Sequence, residues 1–287
     1  MKIGFVLDDS LDKTDGVQQY ILTLGKWLKR QGHEVHYLVG HTERKDVANV
    51  HSLSRNLQVH FNQNRMSTPL PASRSDIKAL LQKEKFDVLH VQLPYSPFLA
   101  GRIIKLADPG IAIIGTFHII PFSRLEAAAT KLLSLWLWRN KKKFDRIVSV
   151  SKPAAEFARK SFGIKTSVLP NVVDISHYSS AKPYKKYEDG IVNLLFIGRL
   201  VERKGCMHLL KALQELHAGR SLDGVRVLIA GKGPLQPELE KYVRENHLSR
   251  NVKFLGYVSE EDKARYLRTA HIAVFPSTGG ESFGIVG

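Results

Sequence analysis

The feature that most limits the fold is a strand, loop and helix alternation that begins at the second residue. Lys2 to Leu7 (KIGFVL) is a short apolar run rich in β-forming residues, followed by a polar loop from Asp8 to Gly16. Val17, Tyr20, Ile21, Leu24, Trp27 and Leu28 then recur at three- and four-residue steps. That spacing places them on one helical face, and Gly32 supplies the C-terminal stop. His33 to Val39 (HEVHYLV) reads as the next strand. Two strands joined through a helix over so short a span require a parallel pair, since the crossover returns the chain to its starting edge.

The rhythm persists. It predicts helices over Asp76 to Lys85, Pro97 to Ala107, Arg124 to Lys143 and the segment from Ser151 to Gly163, with strands at Asp87 to Val91, Ile111 to Phe117, Arg146 to Val150 and Val168 to Leu169. Ser151 is suited to an N-cap, with Pro153 in the first turn and Gly163 just past the end. The strands lack two-residue alternation and so read as buried on both faces, the mark of a doubly wound parallel sheet. From Pro170 to Gly190 the period lapses. It resumes with strands at Ile191 to Ile197, Val225 to Ala230, Val252 to Leu255 and Ile272 to Phe275, and helices from about Gly205 to Leu216, Pro237 to Glu245 and Ser259 to Arg268. The expected organisation is a first α/β domain over 1–170, a linker over 171–190 and a second, incomplete α/β domain over 191–287. Such sheets bind ligands beyond the carboxyl ends of their strands, so a cleft between the two domains is the expected site.

Composition narrows the function. With 43% hydrophobic and 24% charged residues the chain is neither disordered, collagenous nor a coiled coil. The net charge of +16 calls for an anionic partner. Residues 1–170 carry 26 basic and 14 acidic side chains, whereas 171–287 carry 17 and 13, so most of the excess lies in the first half. Cys206 is the sole cysteine, which excludes an internal disulfide and a thiolate zinc site and fits a reducing, cytoplasmic setting. No stretch of about 18 apolar residues occurs, so peripheral rather than spanning membrane attachment is expected.

Candidate chemistry sits just after strands. Asp15-Gly16-Val17-Gln18 opens the first helix, where free N–H groups and the helix dipole attract anions and glycine lets a phosphate approach. Gly198-Arg199-Leu200 followed by Glu202-Arg203-Lys204-Gly205 sets cations beside the mouth of the second domain, where Arg can bind a diphosphate bidentately and Lys acts as a compact charge. Gly231-Lys232-Gly233-Pro234 lacks the spacing of a nucleotide phosphate loop and reads as a tight turn. Gly279-Gly280-Glu281-Ser282-Phe283-Gly284-Ile285 offers close backbone approach and, in Glu281, an acceptor for sugar hydroxyls. His118 ends the strand IAIIGTFH, where it can donate to a hydroxyl or phosphate or handle a proton. The histidines show no metal-binding spacing, so no metal is expected. Arg74 and Lys78 on one helix and Lys141, Lys142 and Lys143 at the end of another are candidates for an anionic membrane surface; the competing reading is two packing helices with solvated outer faces. Interleaved aromatic and basic residues of a nucleic-acid groove are not apparent, so no nucleic acid is expected.

GTFH at 115–118, PNVVD at 170–174, FIGRL…RKG at 196–205, FLGYV at 254–258 and GGESFGIV at 279–286 resemble the retaining, two-domain glycosyltransferases of glycosyltransferase family 4. DGVQ, GTFH and GGESFGIV are most similar to that family's phosphatidylinositol mannosyltransferases. The resemblance implies the GT-B fold, two Rossmann-like domains facing a cleft, and metal-independent hexose transfer from a nucleotide diphosphate sugar to a lipid acceptor at the cytoplasmic face of a membrane. It implies His118, Arg199, Lys204 and Glu281 as catalytic residues, and Gly16, Arg199, Lys204, Val258, Glu281, Phe283, Gly284 and Ile285 on the donor. Gln18, His118 and Arg203 match positions facing the acceptor or reacting sugar. Retention in this family is ascribed to attack on the leaving-group face within an ion pair, so no nucleophile is assigned.

Two departures are minor: Asp15 stands where a second glycine is frequent, and Val172 where PNGVD has glycine. The third is larger. The family's E-x7-E motif begins at Glu281 and would place its second glutamate past residue 287, so a truncated second domain is expected. The competing functions are a UDP-hexose enzyme acting on diacylglycerol or a soluble acceptor, and a non-catalytic fragment.

Overall fold

The structure, a computed structural model, describes residues 1–12, 15–61, 64–69, 72–118, 133, 137, 140–219 and 222–279. It divides into two compact units, which meet in sequence between Val173 and Asp174.

The first unit runs β1 (Lys2–Leu7), α1 (Gly16–Arg30), β2 (Glu34–Val39), β3 (Val50–Ser52), β4 (Asn56–Phe61), β5 (Asn64–Pro69), α2 (Arg74–Glu84), β6 (Val88–Gln92), α3 (Leu99–Leu106), β7 (Ala112–Phe117), β8 (Arg146–Ser149), α4 (Lys152–Phe162) and β9 (Ser167–Val168). Seven strands form one parallel sheet in the order β3-β2-β1-β6-β7-β8-β9. β1 pairs with β2 on one side and β6 on the other, so the connections leaving β1 and β6 diverge. A crevice opens at such a switch point. One layer packs Leu38, Leu89 and Val91 against Ile77 and Leu81 of α2 and Ile103 of α3. The other packs Phe5, Leu7, Tyr37 and Val39 against Tyr20 and Ile21 of α1. Ser151 accepts a hydrogen bond from the Ala154 N–H and Gly163 closes α4 at φ 65°, both as their residue types dictate.

The second unit runs α5 (Ile175–Ser179), β10 (Val192–Ile197), α6 (Cys206–Gly219), β11 (Val225–Ala230), α7 (Gln236–Glu245), β12 (Val252–Gly256), α8 (Glu260–Thr269) and β13 (Ile272–Ala273). Its sheet is parallel in the order β12-β11-β10-β13, with the switch point at β10. Phe196, Val227 and Ile229 pack against Leu210 and Leu213 of α6 and Leu239 and Val243 of α7.

Three expectations change, and one stretch left unassigned gains strands. β3 and the antiparallel β4–β5 hairpin occupy a stretch in which the sequence shows no α/β period. Much of the segment read as linker is folded into the second unit: Tyr187 is buried, and Tyr184 and Tyr187 pack against Tyr266. Aromatic contacts of this kind leave no periodic trace. The strand expected over Ile272 to Phe275 is two residues long, with Ile272 and Phe275 exposed, because its only neighbour among the described residues is β10. Lys141–Lys143 is a 3-10 turn rather than the end of an α-helix, and most of the expected helix before it lies outside the described residues.

Candidate active site

In the first unit, the loop after β1 buries a run of polar groups. Asp8, Asp9 and Ser10 are all shielded from solvent. Asp8 Oδ1 accepts from the Ala100 N–H at 2.6 Å, in the first turn of α3, and Oδ2 accepts from the Ser96 hydroxyl. Burial, reinforced by Asp9 next door, pushes the Asp8 carboxyl up to about 6 despite those two donors. The switch-point loops after β1 and β6 are thereby joined. Asp12 gathers the Thr42 hydroxyl at 2.5 Å and the Glu43 and Arg44 N–H groups at 3.0 and 3.1 Å, tying the same loop to the chain after β2.

Gly16 is the first residue of α1 and is exposed, and its N-cap Asp15 makes no side-chain capping bond. A Cβ on Gly16 would meet nothing within 4 Å, so the protein's own packing does not demand glycine there. Gln18 is buried, and its Nε2 donates to the Ser10 carbonyl at 3.0 Å. That amide nitrogen is committed to holding the loop, a role the sequence reading missed. His118 lies at the end of β7, buried to 4% exposure. The ring of Tyr20 from α1 meets it edge-on at 4.9 Å, which brings the helix of Gly16 and Gln18 against His118.

His118 belongs to a chain of buried polar groups. Its Nε2 is 2.6 Å from Gln92 Oε1, Gln92 Nε2 donates to the His90 carbonyl at 3.0 Å, and His90 Nε2 is 2.7 Å from the Thr116 hydroxyl. Desolvation, with His90 nearby, drives the His118 pKa down to about 3, and desolvation alone takes His90 to about 4. Both rings are neutral at physiological pH. His90, Gln92 and Thr116 were missed, although polar residues within DVLHVQ and IAIIGTFH are a legible signal, since a doubly buried strand otherwise has no use for them.

In the second unit the cations occupy a loop shaped by backbone contacts. Arg199 and Lys204 are half-buried, and Arg203 is buried with its carbonyl accepting from the Thr278 N–H at 2.9 Å. Gly205 adopts φ +71°, and a Cβ there would lie 1.9 Å from the Pro276 carbonyl oxygen. Gly231 adopts φ +142°, with the Gly198 oxygen 1.8 Å from any Cβ. Only glycine is accommodated at either place. The Leu200 N–H donates to the Lys232 carbonyl at 3.1 Å, so the Gly231 to Pro234 turn braces the Arg199 loop. Val258 follows β12 and packs with Ile197 onto the cluster of Tyr187, Leu195, Leu228 and Tyr266. Glu281, Phe283, Gly284 and Ile285 lie outside the described residues.

The surface cations divide. Arg74 and Lys78 are exposed on α2, but the apolar side of that helix, Ile77 and Leu81, is core. Lys143 Nζ donates to the carbonyls of Ile104 and Lys105, both at 3.0 Å, and so caps the C-terminus of α3.

One constellation was invisible in the spacing. His36 on β2, His51 on β3 and Glu84 at the end of α2 lie close enough to share a metal ion. His36 Nδ1 faces His51 Nε2 at 2.8 Å, its Nε2 faces Glu34 at 2.9 Å, and Lys2 Nζ lies 3.0 Å from Glu84. The parallel rings, 5.2 Å between centroids, meet edge to edge through that nitrogen contact. Both nitrogens of His36 are thus used in hydrogen bonds, and an ammonium already answers the carboxylate.

Two parallel α/β units, each with polar machinery on the loops leaving its central strand, define the class: a two-domain enzyme of the GT-B architecture. A profile of Glycosyltransferase Family 4 matches residues 14–177, and one of Glycosyl transferases group 1 matches residues 181–287. The chain belongs to glycosyltransferase family 4 and is a glycosyltransferase. It is 31% identical over 296 residues to the phosphatidyl-myo-inositol mannosyltransferase of Mycolicibacterium smegmatis, spanning all of this chain and 72% of that one. It is 23% identical over 298 residues to a GDP-mannose-dependent monoacylated alpha-(1-6)-phosphatidylinositol monomannoside mannosyltransferase of Corynebacterium glutamicum, spanning 98% of this chain and 75% of that one. Among solved structures, Anabaena Alr3699/HepE in complex with UDP superposes with a TM-score of 0.75 at 17% identity, covering 100% of this chain and 77% of that one, which establishes a shared fold.

Proposed function

We propose that this glycosyltransferase moves a hexose, mannose on this reading, from a nucleotide diphosphate sugar to a membrane lipid such as phosphatidylinositol, with retention of configuration. The observation that carries the proposal is the 31% identity across the whole chain to a phosphatidyl-myo-inositol mannosyltransferase, with GDP-mannose named for a more distant relative. Arg199 and Lys204 neutralise the diphosphate, and because negative charge grows on it as the sugar leaves, they act most strongly in the transition state. The open space above Gly16 admits a phosphate to the first N–H groups of α1. Glu281 with the backbone of Gly284 and Ile285, beside Phe283, holds the transferred sugar, and Val258 borders the base. His118, Gln18 and Arg203 face the acceptor side; the Gln18 contribution falls to its amide oxygen, since the nitrogen is engaged. No metal or organic cofactor takes part in this reading.

Among the described residues no helix is long and apolar enough to cross a membrane. The proposed location is peripheral, at the cytoplasmic face, with Arg74, Lys78, Lys141 and Lys142 toward anionic lipid and Lys143 contributing only the charge it retains while capping α3.

Incubation with labelled GDP-mannose and phosphatidylinositol vesicles is expected to yield a labelled glycolipid. Product only from a UDP-hexose would move the donor assignment, and no glycolipid from any nucleotide sugar would refute the proposal.

A further inference from the structure

The buried chain at the end of β6 and β7 decides which nitrogen of His118 carries the proton, and so what kind of group that ring can meet. Gln92 is fully buried and touches two partners with its amide. One is the backbone carbonyl of His90, which can only accept, so the amide nitrogen must face it at 3.0 Å. The amide oxygen is then the atom 2.6 Å from His118 Nε2. A carbonyl oxygen cannot donate, so Nε2 is the donor and bears the hydrogen. The flip of Gln92, ordinarily ambiguous, is fixed here by a backbone group that has no second option.

With the proton on Nε2 and the ring neutral, Nδ1 carries a lone pair. Among the described residues nothing hydrogen-bonds Nδ1, and it is not one of the buried polar atoms left without a partner. We infer that Gln92 is a positioning residue that locks His118 in the Nε2–H tautomer, so that His118 presents an acceptor and takes a hydroxyl of a polyol substrate rather than a phosphate oxygen. An ionised phosphate offers only acceptors and would set lone pair against lone pair, whereas a hydroxyl donates to Nδ1 and becomes more nucleophilic as it does so. The anionic part of an acceptor is then left to cationic groups elsewhere. This inference rests on the proposed role of His118 in acceptor binding and deepens it.

Nitrogen-15 correlation spectra of the histidine side chains of the whole chain, with His118 assigned by its loss in His118→Ala, are the direct test. The expected result from pH 6 to 8 is a neutral ring protonated at Nε2, with Nδ1 shifting on addition of myo-inositol but not of inorganic phosphate. Protonation at Nδ1, an imidazolium, or a phosphate-induced shift would overturn the inference. Gln92→Glu keeps an accepting oxygen but adds charge. It should retain turnover at high pH and raise the acid limb of kcat by more than one pH unit. Gln92→Met frees the tautomer and should lower kcat about tenfold or more without a shifted limb. If both variants lose activity alike with unchanged pH profiles, Gln92 merely fills space and the inference fails. Full turnover in His118→Ala would overturn the hydroxyl contact together with the acceptor reading, whereas lost turnover with the proton found on Nδ1 would overturn the tautomer inference alone.

Discussion

The loop after β1 and the loop after β10 leave equivalent positions, each following the strand at which its sheet switches direction, yet they are built from different materials. The first is held by buried side chains: Asp8 bound to Ser96 and the Ala100 N–H, Gln18 bound to the Ser10 carbonyl, and Gln92 between two histidines. The second is held by backbone pressed on backbone, with Gly205 against Pro276 and Gly231 against Gly198. Side-chain networks can set proton positions and tune acidity. Close-packed glycines do neither, but they fix the course of the backbone that carries the cations.

The contrast can be broken from either side. The largest effect is expected from Gly231→Val, which combines a disfavoured φ with a backbone collision and should destabilise the second unit by about 4 kcal/mol or more; urea unfolding followed separately in the two units should show the loss confined to the second. Arg199→Ala or Lys204→Ala should lower kcat/KM by about 10²–10³-fold, as loss of the proposed transition-state charge stabilisation would, measured by steady-state kinetics.

Acid should strike the first unit. His90 and His118 titrate lower in the fold than their ordinary 6.5, so their stabilisation is present above pH 6.5 and is lost as pH falls toward about 4 and about 3, each at about 1.4 kcal/mol per pH unit. Asp8, raised to about 6, acts in the opposite sense: its contribution is present below its ordinary 3.8 and is lost as pH rises through 6. Between pH 6 and 4 the two histidines outweigh Asp8, and His51, held below its ordinary value chiefly by burial, adds in their direction, so a net loss of stability with falling pH survives. Chemical denaturation across that range should show it, and His118→Gln should flatten it.

Gly16→Ala should fold as well as the parent, because its Cβ enters open space, yet raise KM for the nucleotide sugar about tenfold, measured by donor titration. Last, Lys143→Ala removes two hydrogen bonds at the C-terminus of α3 and should cost about 0.5–1 kcal/mol in the first unit's unfolding free energy.

Most of the fold was legible because burial imposes periodicity. β1, β2, β6, β7 and β10 all emerge from apolar runs, and α1 and α4 from their spacing and caps. The β4–β5 hairpin and the tyrosine packing around Tyr187 were not, since neither burdens the sequence with a repeat. Of the candidate site, Gly16, Arg199, Lys204 and His118 were named from their positions after strands. Gln18 was named too, but not for the hydrogen bond that occupies it.

The sequence by itself determined two α/β units, the cationic loop after β10, and the membership of the chain in its family, because motifs and burial patterns are local. Only the tertiary structure decided that Gly16 is spared by the protein's own packing while Gly231 is compelled by it, and that two histidines and a glutamate remote in sequence converge beside Lys2. It also decided which nitrogen of His118 holds the proton. The reason is physical: steric room and proton position depend on atoms that different strands bring within hydrogen-bonding distance, and that distance is set by the sheet rather than by separation along the chain.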